Sequence, residues 1–246
     1  MKSLSSFQEL DALGEGLSRD YTKKTHRWNA LCFDIEGFIT DYLGLSICYE
    51  SFAEKDSSKI GFLANGIDPL LVHRGCGAVS VVFPKDTIVI ERCLLQTRES
   101  SRRRFTLAHE AAHKILERHI PMQTVARFHS DFDAENMYPS EDLKRIFSLN
   151  ETLTNRLGAA ILMPLFLVEK ALRKYNSGQP LKCYDGGVFA QSDKLTAQNM
   201  ANSLGVSYSA FITRLRELNL LDWHPIEEYI SCDLCFGGAY DPKDSI

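Results

Sequence analysis

Residues 101–119 read SRRRFTLAHEAAHKILERH, and at their centre stands the run His109-Glu110-Ala111-Ala112-His113. Phe105, Ala108, Ala112, Ile115 and Leu116 recur at helical spacing, so the stretch is expected to be an amphipathic helix that ends before Pro121. Residues four apart share a helix face, which points His109 and His113 the same way, one turn apart. Two imidazoles so placed can hold one Zn²⁺, and the intervening Glu110 can serve as general base.

A catalytic zinc usually takes a third protein ligand and keeps one position open. His119 lies ten residues after His109, where an HExxHxxGxxH pattern places its third histidine. That pattern needs a glycine at position 116 to turn the chain back, and the residue there is Leu116. Glu151 is the better candidate. It belongs to a second helical stretch, EDLKRIFSLNETLTNRLGAAILMP from Glu141, that is apolar nearly all round between Leu157 and Met163. Gly158, Ala159 and Ala160 would let another helix approach closely, and a carboxylate buried beside them needs a partner. Asn155, one turn on, is placed to hydrogen-bond Glu151 or a ligand histidine.

RFTLAHEAAH followed by ETLTNRLGAAILMP resembles the ImmA/IrrE family of metallo-endopeptidases. The likeness covers about residues 34–164 and rests on two separated motifs. Ala111-Ala112 replaces the usual Leu/Ile-Gly, and Leu157-Gly158 replaces the common Phe-Ala. The resemblance implies a zincin-like fold in which His109, His113 and Glu151 bind Zn²⁺ and Glu110 is the catalytic base. It also implies a substrate, a helix-turn-helix transcriptional repressor.

Outward from these helices the chain reads as α+β. Phe7 to Lys24 forms a helix with a weak point at Gly14 and Gly16, and Asp34 to Tyr42 forms another. Short β-like runs follow at 45–49, 59–64, 70–73, 79–83 and 87–90, with Asn65-Gly66 as a hairpin signal. They predict a small, mostly antiparallel sheet packed on the HExxH helix. An extended substrate is expected to pair along an edge, either Val79–Phe83 or Thr87–Ile90. Between the ligand helices, His129, Asp131, Asp133 and Tyr138 are candidates for stabilising the tetrahedral intermediate. The expected units are an N-terminal helix (1–28), the metallopeptidase domain (29–176) and a helical region with a loose tail (177–246), divided at the Gly/Pro-containing break of 177–187.

Residues 197–221, AQNMANSLGVSYSAFITRLRELNLL, resemble a helix-turn-helix whose second helix would offer Tyr208, Ser209, Thr213 and Arg214 to DNA. That is thin phosphate and base chemistry, and a formal net charge of −4 opposes it, so a packing or protein-contact role is preferred. Arg102-Arg103-Arg104 reads first as a solvated charge run, with a grip on an acidic partner as the alternative. Cys232-x-x-Cys235 is half of a zinc site whose second pair is missing; Cys183 is the nearest other cysteine. Seven cysteines at wide spacing do not make a disulfide framework, and no signal-peptide core or membrane-length apolar run is present. The expectation is a cytoplasmic, reduced protein.

Overall fold

The computed structural model describes residues 6–55, 59–119 and 140–230. Helix α1 (Phe7–Thr25) opens with Ser6 as N-cap in a reciprocal pair with Glu9. Asp34 caps a short helix, α2 (Ile35–Gly37), which passes directly into a π-helical turn, Phe38–Tyr42. Five strands follow: β1 (Ser46–Glu50), β2 (Gly61–Ala64), β3 (Pro69–Arg74), β4 (Gly77–Val82) and β5 (Thr87–Glu91). The HExxH helix α3 (Ser100–His119) and the long helix α4 (Ser140–Leu162) come next, then α5 (Leu165–Tyr175) and β6 (Leu181–Tyr184). The helical pair α6 (Gln191–Leu204) and α7 (Tyr208–Glu217) precedes β7 (Leu221–His224).

The sheet is mixed rather than mostly antiparallel. Its strand order is β1-β5-β2, with β5 parallel to β1 and antiparallel to β2. β3 and β4 form a separate antiparallel hairpin, inserted in the long connection that lets β5 return parallel to β1. Asn65-Gly66 is therefore not a hairpin turn, because β2 and β3 lie in different sheets. Its Asn65 side chain accepts from the N–H groups of Ile67 and Asp68 and turns the chain out of the first sheet. The real hairpin turn is Gly75-Cys76, with Gly75 at φ +59.

Strand β5 is the centre of this arrangement, which removes Thr87–Ile90 as an edge. Ile88 and Ile90 face the main core, whereas Val89 faces a smaller core with Ala64, Leu70, Val72 and Phe83 of the hairpin side. Burial on both faces explains an apolar run that alternation alone cannot assign to one face.

Helix α4 is gripped from two sides. A Cβ built on Gly158 would lie 3.3 Å from the backbone of Ala108 in α3. One built on Gly14 would lie 2.6 Å from Cβ of Ala160. Gly14 is thus a packing contact between α1 and α4, not a weak point. Ser18 of α1 adds a hydrogen bond from its hydroxyl to the Ile161 carbonyl at 3.0 Å. Helix α5 and the parallel pair β6/β7 have no counterpart in the sequence reading. Their segments are short, and β6 and β7 are joined only through α6 and α7.

Candidate metal centre

α3 presents His109 and His113 on one face, with their Nε2 atoms 3.0 Å apart. α4 brings Glu151 opposite them. Its Oε2 lies 3.3 Å from Nε2 of His109 and its Oε1 lies 3.6 Å from Nε2 of His113. Among the described residues this is the group of three donors that could hold a metal ion. Tetrahedral bonds of about 2.0–2.1 Å would set donor atoms about 3.4 Å apart, and the three separations bracket that value. The donor set therefore fits a zinc-sized ion.

The opposite ring nitrogens are also held. Nδ1 of His109 is 2.9 Å from Oδ1 of Asn155, and Nδ1 of His113 is 3.4 Å from Oγ1 of Thr154. An Nδ1–H donated to oxygen leaves the Nε2 lone pair facing the other donors, the tautomer a metal needs. Asn155 thus reaches a histidine, one of its two expected partners. Thr154 escaped the sequence reading. It is 1% exposed, and nothing in its spacing reveals that it reaches His113.

Glu151 differs from expectation in one respect. Its side chain is 52% exposed, so the need to neutralise a buried charge does not explain its position. The carboxylate sits at the lip of the α3/α4 contact, where a fourth metal position can open to solvent. His119 ends α3, which continues past Leu116 as helix without turning back. His129, Asp131, Asp133, Tyr138, Cys232 and Cys235 lie outside the described residues.

Glu110, the residue after His109, is buried at 8% exposure. Burial is the main cause that pushes its carboxyl up to about 7; His109 and Lys59 oppose the rise and the charge of Glu151 adds to it. A carboxyl poised there matches the protonation range useful to a general base near neutral pH. Burial lowers His109, but its hydrogen bond to Glu151 and the charges of Glu110 and Glu151 outweigh this and hold it above its ordinary value.

Strand β2 passes directly over Glu110. A Cβ on Gly61 would fall 2.4 Å from Oε1 of Glu110 and 2.6 Å from Cγ2 of Thr106. An isolated glycine in a strand is a sequence signal for close approach, and Gly61 could have been singled out on that ground.

Over residues 40–216 the sequence matches the Peptidase_M78 family, described as the IrrE N-terminal-like domain. The chain belongs to this family. The match spans both ligand helices and runs to Arg216, one residue short of the end of α7, so all but the last residue of the helical pair α6/α7 falls within the M78 region. M78 is a metallopeptidase family, and the His109, His113 and Glu151 group could hold the metal ion such a peptidase needs. No curated protein matches the chain. No helix among the described residues is long and apolar enough to cross a membrane.

Of the residues the helical pair offered to DNA, one is taken up inside the fold. Arg214, offered by the sequence as a base or phosphate contact, is 1% exposed. Its guanidinium pairs with Asp11 of α1 at 2.5 Å and Glu217 at 3.2 Å and donates to the Met163 carbonyl at 3.0 Å. Three internal partners leave it nothing to offer DNA. Ser209 and Thr213 remain exposed.

Proposed function

We propose that this chain is a zinc-dependent endopeptidase acting on a cytoplasmic protein, a helix-turn-helix transcriptional repressor. The observation that carries the reading is the convergence of three metal donors on helices that also carry a buried carboxyl, Glu110, lying under strand β2 at Gly61. When bound, zinc supplies the positive charge that acidifies water and polarises a carbonyl. Glu110 takes the proton from the attacking water and passes it to the leaving amine. Asn155 and Thr154 hold the two imidazoles in register, so that the donors do not reorganise during the reaction.

Strand β2 offers the substrate a rail. Among the described residues it pairs on one edge only, with β5, and its face at Gly61 lies against Glu110. This position is preferred to Val79–Phe83, because Gly61 puts β2 against the base itself. An extended segment can add to such an edge through backbone hydrogen bonds. The half-exposed Glu151 places the donors at the surface, which favours a polypeptide over a small molecule held in a closed pocket. The repressor as substrate rests on the ImmA/IrrE resemblance.

Glu110→Gln is the test. It keeps the three donors, so zinc content is expected to match wild type, while cleavage of a co-expressed repressor is lost. A variant that still relieves repression would show that the protein acts by contact and cuts nothing.

A further inference from the structure

The three arginines that precede the HExxH motif go three different ways. Arg104 is a tie inside the fold: its Nε donates to the Gly205 carbonyl at 3.0 Å and its Nη2 to the Phe33 carbonyl at 2.5 Å. Arg103 turns to Glu36, at 3.6 Å. Arg102 is 56% exposed, and its salt bridge, to Glu99, is only a 3.9 Å contact.

Arg102 stands on the wall of a cleft of about 750 Å³ between α3, α4 and α7. The cleft adjoins the metal centre through Asn155, which lines it and is the hydrogen-bond partner of His109. Its far wall carries Ser207 and Ser209 at the N-terminal end of α7. Two more arginines line it, Arg156 and Arg214, but both are paired with Asp11 and Glu217. What remains is one loosely held cation in a cleft that shares Asn155 with the metal centre, on a protein whose overall charge is −4.

We infer that Arg102 is a specificity-determining residue that binds an acidic side chain of the substrate about three positions from the cut bond. The spacing follows from helix geometry. Seven residues are within about 20° of two full turns, so Arg102 and His109 share a face about 10 Å apart along the axis. An extended chain advances about 3.3 Å per residue, so about three residues cover that distance. The positive end of α7 on the opposite wall favours the same charge. The inference rests on the endopeptidase reading and names the substrate class that its site selects.

The test uses the zinc-loaded full chain on a peptide library, with cleavage products read by mass spectrometry, followed by synthetic peptides that differ only in Glu or Lys at the selected position. Wild type is expected to select Asp or Glu and to favour the Glu peptide by about fivefold in kcat/KM, carried by KM, in line with a solvent-exposed ion pair. Arg102→Glu is expected to reverse the preference with kcat unchanged. The variant should fold, since a carboxylate in the first turn of α3 suits the helix dipole better than the arginine does. Cleavage with no acidic preference, or a preference that survives Arg102→Glu, would overturn the subsite and leave the peptidase standing. A wild type that holds zinc and cuts nothing in the library would overturn both.

Discussion

Replacing Gly61 with alanine adds one methyl group where β2 crosses the base. The new Cβ would sit 2.4 Å from Oε1 of Glu110 and 2.6 Å from Cγ2 of Thr106. Carbon contacts normally settle at about 3.5–4.0 Å, so the shortfall is about 1 Å on both sides. Neither neighbour can yield freely, because Thr106 and Glu110 are 7% and 8% exposed on a helix already packed against α4. The strand must lift or the carboxylate must rotate, at a cost of about 1–3 kcal/mol for overpacking. Either movement shifts the base relative to the imidazoles by about 1 Å, which can lower the rate by about 100-fold. The three donors are not touched, so zinc content and chelator resistance should match wild type. Thermal unfolding, elemental analysis and cleavage rate measured on one preparation separate these effects. Adding Thr106→Ser removes one of the two clashes and should restore part of the stability without restoring the rate. A Gly61→Ala protein that cuts at the wild-type rate would refute the placement of Glu110 beneath β2, and with it the substrate rail.

Asn155→Ala frees the Nδ1 of His109 and is expected to weaken zinc binding by about 10–100-fold in a chelator competition, with Thr154→Val acting in the same direction on His113. Glu151→Ala should lose the metal, whereas His119→Ala should keep it; elemental analysis showing the opposite pattern would reassign the third donor. Arg214→Ala strips a buried cation from Asp11 and Glu217, so a loss of about 3–5 kcal/mol is expected in denaturant unfolding, far beyond an exposed arginine. Tyr21 and Tyr42 are pushed up to about 12 by burial and by their hydrogen bonds to Asp34 and Asp20. Their folded values lie above the ordinary 10.0, so their contribution is intact below pH 10 and fades as the pH climbs toward 12. Tyr21→Phe should flatten that alkaline decline in melts taken across this range, and an unchanged slope would remove Tyr21 as its source.

The metal chemistry was legible because it is local. HExxH specifies a helix face by spacing alone, and the apolar run after Glu151 marks a helix that must be buried. Even so, the reason offered for Glu151 was wrong. Its carboxylate is half exposed, and it lies near the imidazoles because Gly158 lets α4 approach the backbone of Ala108. Arg214 shows the reverse error. An arginine on a helical pair looks available in sequence, and only the arrival of Asp11 from α1, some two hundred residues earlier, buries it.

By itself, the sequence determined the two helices that carry His109, His113 and Glu151, the shared face of the two histidines and the α+β class, since each follows from a period of 3.6 or 2 within one segment. Tertiary structure decided what depends on distant segments meeting. It made β5 the central strand, set Gly61 over Glu110, gave Thr154 to His113, and sent three adjacent arginines to three different neighbours. A periodic pattern states which face of an element is apolar. It carries no information about which other element will cover that face, and the HEAAH site is built from that second choice.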